Sequence, residues 1–137
     1  MKKTVYILKG VSGSGKSSLA EELVKGRQGI ICCADDYLYN VDGVYDFTLA
    51  NGGQNHKLCQ EKFLDALEDW TVNVIVVANT NVEPKHWNFY VDAASRYNAT
   101  IFHLVVENRH GGKDSHSVPE HVLASQEQRI KNSLKLR

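Results

Sequence analysis

Near the start of the chain a short β-type run, Thr4-Val-Tyr-Ile-Leu-Lys9, opens into Gly10-Val-Ser-Gly-Ser-Gly-Lys-Ser17. Ser17-Ser-Leu-Ala-Glu-Glu-Leu-Val-Lys25, which follows, has the composition of a helix. The octapeptide fits G-x-x-x-x-G-K-[ST], and it stands in the order strand, glycine loop, helix that this pattern requires. Gly10, Gly13 and Gly15 let the backbone take positive φ and approach a ligand with no Cβ in the way. The amides of such a loop converge on phosphate oxygens, and the next helix turns its positive dipole end to the same anion. Gly10, Ser12, Gly13, Ser14, Gly15, Lys16, Ser17 and Ser18 are therefore the expected phosphate-contacting set. Lys16 is expected to reach the β- and γ-phosphates, and the Ser17 hydroxyl to help hold Mg²⁺. The ligand class implied is a nucleoside triphosphate.

The 137 residues provide one domain, 1–137, with material for a single continuous core. Sixteen basic residues balance sixteen acidic ones, so no global field favours nucleic acid or membrane, although a narrow basic channel fits within a neutral total. The chain has no apolar run near the roughly 18 residues a membrane span needs. It begins a strand almost at once, without the apolar core of a signal peptide. Cys32, Cys33 and Cys59 make no disulfide framework and no C-x-x-C or Cys/His zinc spacing. They read as small buried hydrophobes in a reducing cytoplasm.

Further along, Ile30–Ala34 is a continuous apolar run, expected to be a strand buried on both faces of a parallel sheet. Gln54–Trp70 reads as a helix with Cys59, Phe63, Ala66, Leu67 and Trp70 on one face. Val72–Ala78 and Thr100–Val106 read as two further strands. Pro84 suits the first turn of a helix carrying Trp87, Tyr90, Val91 and Ala94 on its apolar side, and Pro119 opens a last helix. Alternating strands and helices imply right-handed crossovers. The expected fold is an α/β P-loop NTPase domain of kinase type, with a parallel sheet of four to five strands between helices.

Three features at the carboxyl ends of these strands, where open α/β sheets place ligands, narrow the chemistry. Asp35 and Asp36 follow the second strand. A kinase needs a carboxylate there to orient an acceptor hydroxyl and take its proton, and Asp35 is read as that base. Asp36 is left to assist Mg²⁺ or support the loop. Asn79, Thr80 and Asn81 follow the third strand, read either as hydrogen-bond partners of substrate or γ-phosphate or as an Asx-turn. Residues 107–118 form a polar, glycine-hinged loop with Arg109 and Lys113, read either as a lid or as a solvated surface loop. An arginine in such a lid stabilises charge on the transferring group, and the planar fork of Arg109 makes it the preferred cation. Tyr37, Tyr39, Tyr45 and Phe47 suit either base stacking or the local core of the 37–56 segment. His56 is read as a buried, satisfied histidine or as an acceptor contact.

These residues together resemble the polynucleotide-kinase-like P-loop kinases, a group that includes the phage 5′-kinase domain and kinase-like domains of NEDD4-binding-protein type. The resemblance runs through GVSGSGKSS, ADDY at 34–37, DGVYDF at 42–47, the helix around Asn55–Gln60, ANTN at 78–81 and HSVPEHVL at 116–123. It implies transfer of the ATP γ-phosphate to a hydroxyl, with Mg²⁺ as cofactor and Asp35 as base. It also implies Arg109 in the lid and Arg129, on the final helix, touching ATP. The chain departs from the phage enzyme at two places: Leu38 stands where an arginine holds the acceptor's 3′-phosphate, and Asn79 where an aspartate precedes Thr-Asn. Three readings follow: a kinase of nucleic-acid 5′-hydroxyls, a nucleoside or small-molecule kinase, and a non-catalytic nucleotide-binding module.

Overall fold

Strand β3, Val74–Val77, is buried at all four residues because it lies inside a parallel sheet covered on both faces. A computed structural model describes residues 2–11, 14–81, 83–107, 124–126 and 128. Within them run β1 (Thr4–Lys9), α1 (Lys16–Val24), β2 (Gly29–Cys32), α2 (Gln54–Glu68), β3, α3 (Pro84–Arg96) and β4 (Thr100–Val105). The strands are ordered β2-β3-β1-β4 and all pair in parallel, with Ile75 opposite both Val5 and Ile30. Residues 124–126 and 128 are helical, inside the segment where a last helix is expected.

Alternation along the strands sorts side chains into two cores. Val5, Ile7, Ile75 and Val77 face α2 and α3, where they meet Cys59, Phe63, Leu67, Tyr90 and Ala94. Leu8, Val74, Val76 and Ala78 face Ala20 of α1 on the other side. Phe63 and Tyr90 fasten α2 to α3 edge to face, with ring centroids 4.9 Å apart. Pro84 starts α3 at its first turn, where a missing N–H costs nothing. Among the described residues no helix is long and apolar enough to cross a membrane.

Three expectations are corrected. β2 is an edge strand whose first three residues are only half-buried, because no further strand lies beyond it among the described residues. Trp70 is 84% exposed, because α2 stops at Glu68. Asp69 there leaves the helix, its Oδ1 accepting from the Thr71 amide at 2.9 Å and hydroxyl at 2.6 Å, so the helical spacing no longer holds at position 70. His56 is exposed on the first turn of α2 and is not a core histidine.

Burial pushes the Cys32 thiol up to about 12 and the Cys33 thiol up to about 11, and Cys59 is raised for the same reason. Thiols held protonated in this way behave as packing groups.

Candidate functional site

β1 leads straight into the glycine loop, and the loop is tied to its neighbours by backbone bonds. The Gly10 amide donates to Thr80 O at 3.1 Å, and the Ser14 amide to Val11 O at 3.1 Å. Gly15 adopts φ 101° as the N-cap of α1, a left-handed conformation that favours glycine. Among the described residues no side chain caps α1, and no acidic residue sits in its first turn, an arrangement that suits an anion at its dipole end.

Lys16 is only 9% exposed, and its Nζ donates to Gly10 O and Val11 O, each at 2.8 Å. Ser14 Oγ is buried with no hydrogen-bond partner among the described residues, so it has a proton to offer a phosphate oxygen. Ser17 and Ser18 are exposed at the mouth of the loop. A Cβ on Gly10 would stand 2.6 Å from Val106 O and 2.7 Å from Ser14 Oγ. Gly10→Ala is therefore expected to lower stability by about 1–3 kcal/mol through overpacking and to weaken ATP binding. Thermal melts with and without ATP check both effects, and an unchanged melt would mean the loop tolerates the methyl group.

Asp35 and Asp36 lie on a 3-10 turn, Ala34–Tyr37, directly after β2. The two carboxylates differ in setting: Asp35 is half-buried and Asp36 is exposed. Tyr37 packs partly into the core on the α2 side. Leu38, next along, is fully buried and presents nothing to an acceptor. Residues 38–46 then form a tight hairpin, with Tyr39 bridged to Tyr45 and the Asp46 amide donating to Leu38 O at 2.6 Å. The Tyr39 and Tyr45 rings meet edge to face with centroids 5.6 Å apart, so they make a local pair, and Tyr39 stays 47% exposed.

The 78–81 segment reaches both neighbouring strands. Asn79 Oδ1 accepts from the Ala34 amide at 2.8 Å, which joins the end of β3 to the turn carrying Asp35. Asn81, at φ 52° and 2% exposed, donates from Nδ2 to Leu8 O at 2.7 Å, while its Oδ1 is buried with no partner among the described residues. Thr80 is half-buried, and its carbonyl holds Gly10.

Adjacent parallel strands thus bring the glycine loop, the Asp35–Asp36 turn and Asn79–Asn81 to the carboxyl end of the sheet. His56, at the start of α2, remains exposed. Ser12, Gly13, Arg109 and Arg129 lie outside the described residues, as do Lys113 and most of the expected lid. Periodicity placed Cys59 and Tyr90 on apolar faces but missed that their polar atoms meet Asn79, since a helical pattern reports a face and not the tip of a side chain. Lys9 was also missed: it is 5% exposed, its Nζ lies 3.5 Å from the Trp87 ring centroid, and burial lowers its pKa.

Comparison with known proteins agrees with this geometry. A family model described as AAA domain matches residues 5–132. NEDD4-binding protein 2 of Homo sapiens is 33% identical over 103 residues, 70% of this chain, and the chain spans only 6% of that protein's length. A chain of the Pnkp1/Rnl/Hen1 RNA repair complex shares the fold with TM-score 0.60 and 21% identity, over 99% of this chain and 40% of that one. An APS kinase, CysC of Mycobacterium tuberculosis with a Cys556Ala change, shares it with TM-score 0.54 and 18% identity, over 97% of both chains. The fold is thus a P-loop, kinase-like one.

Proposed function

We propose, from the premise that this chain belongs to the AAA domain family, that it is an ATP-dependent phosphotransferase acting on a hydroxyl. The favoured acceptor is the 5′-hydroxyl of a nucleic acid. The observation that carries the reading is the convergence, at the carboxyl ends of β1 and β2, of a glycine loop with its buried lysine and a half-buried aspartate. Likeness in fold to an APS kinase and to a component of an RNA repair complex supports the reaction class. The single domain 1–137 would carry the whole reaction.

In this reading the loop amides, Lys16 and the Ser14 hydroxyl take the triphosphate, and Lys16 leaves two carbonyls to do so. The loop fits that group in one respect: the buried Ser14 hydroxyl has no hydrogen-bond partner among the described residues. Mg²⁺ also suits the donors present, since it favours oxygen ligands and keeps several waters. Ser17 and Asp36 would hold it, and no cluster of three metal-binding side chains stands among the described residues. When bound, Mg²⁺ neutralises charge that develops on the phosphoryl oxygens. Asp35 accepts the proton of the attacking hydroxyl. Arg109 and Arg129, which lie outside the described residues, would supply further cations to the triphosphate. Tyr37, His56, Thr80 and Asn81 line the acceptor side.

A second reading, a nucleoside or small-molecule kinase, is favoured by Leu38, whose full burial removes one potential contact to an acceptor phosphate. The test is transfer of label from γ-labelled ATP to 5′-hydroxyl oligonucleotides, run beside a panel of nucleosides and small alcohols. Transfer to the oligonucleotide that weakens steeply with salt supports the nucleic-acid acceptor, because phosphate contacts release counterions. Transfer confined to the small acceptors overturns that choice, and transfer to none overturns the enzyme.

A further inference from the structure

The ladder between β2 and β3 ends with the Ala78 amide donating to Cys32 O at 2.9 Å. One step further the chain of β3 turns away, and the Ala34 amide meets a side-chain carbonyl instead, Asn79 Oδ1 at 2.8 Å. Ala34 is 2% exposed, so this amide has little access to water and needs that partner. The other half of the Asn79 amide is held as well. Its Nδ2 donates to Tyr90 Oη at 3.4 Å and towards Cys59 Sγ at 3.7 Å, while Tyr90 Oη donates to the same sulfur at 3.3 Å. This network fixes which way the amide points, with oxygen towards Ala34 and nitrogen towards α2 and α3. One side chain therefore joins the end of β3, the turn carrying Asp35, and both helices of that face.

We propose that Asn79 is a positioning residue: it clamps the Ala34–Tyr37 turn to β3 and acts on phosphoryl transfer through Asp35, without touching substrate. The inference rests on the kinase reading for its catalytic half and on the structure for the clamp. An asparagine both accepts from Ala34 and donates to Tyr90 and Cys59, whereas an aspartate keeps only the acceptor half.

Two measurements on Asn79→Leu, Asn79→Ala and Asn79→Asp separate the parts. Amide hydrogen exchange without any ligand reads the clamp. In Asn79→Leu and Asn79→Ala, protection at Ala34 and Asp35 is expected to fall about 10- to 100-fold, the loss of one buried hydrogen bond. Asn79→Asp keeps the acceptor and is expected to retain most of it. Unchanged exchange in Asn79→Leu overturns the clamp whatever the activity.

Single-turnover transfer from γ-labelled ATP to a 5′-hydroxyl oligonucleotide reads the second part. Asn79→Leu is expected to lower the rate by up to about 10²-fold, the cost of a small misplacement, with ATP affinity nearly unchanged. Asn79→Asp restores most of that rate. In an Asp35→Asn background the Asn79 change should cost nothing more. A full additional loss there, or a loss of ATP affinity matching the loss of rate, overturns action through Asp35. No transfer by the unmodified protein overturns the kinase reading and the catalytic half with it, and exchange still decides the clamp.

Discussion

Asp35→Asn is expected to lower phosphoryl transfer by about 10²–10⁴-fold, the range a positioned general base supplies, while ATP binding stays near its original strength. The substitution keeps the size of the side chain and its ability to hydrogen-bond an acceptor hydroxyl, but it removes the carboxylate proposed to take the proton. Asp36 is a poor substitute because it is exposed where Asp35 is half-buried, and adjacent residues of a 3-10 turn do not point the same way. Single-turnover transfer from γ-labelled ATP, beside an ATP titration, reads the two quantities separately. Full transfer by the variant would move the base elsewhere in the site. Equal loss of binding and rate would make Asp35 part of the nucleotide site instead.

Lys16→Met tests the donor half. The ammonium bridges Gly10 O and Val11 O, each at 2.8 Å, and only 9% of the residue is exposed. Methionine fills a similar volume without charge, so the change removes the cation and leaves the packing. Transfer is expected to fall by about 10²–10³-fold, the effect of removing one group aimed at developing transition-state charge. A ligand that binds only the folded state raises its melting temperature by mass action, and this rise with ATP should shrink or vanish in the variant. An undiminished rise would mean that Lys16 stays with its two carbonyls and does not reach the phosphates.

The backbone of the glycine loop was legible because its requirements are local. A positive φ at Gly15 and the close approach at Gly10 are demands on single residues, met by glycines that stand in the sequence at fixed spacing. The buried faces of α2 and α3 were legible for a related reason, since Cys59, Phe63 and Leu67 recur at helical intervals. Trp70 shows the limit of that reasoning: it continues the apolar spacing, but Asp69 and Thr71 form a local turn that ends the helix first. His56 shows another, because the buried face of α2 begins at Asn55, four residues before Cys59, and leaves His56 exposed beside it.

The sequence by itself determined the glycine loop between β1 and α1, the alternation of strands and helices, and the carboxylates after β2, all written in neighbouring residues. Only the tertiary structure decided that β2 is an edge strand, that Leu38 is buried, and that Asn79 accepts from the Ala34 amide. Ala34 and Asn79 are 45 residues apart, and they meet only because two parallel strands lie side by side. Backbone conformation and periodicity are short-range properties, whereas a contact of that kind exists only after the sheet has assembled.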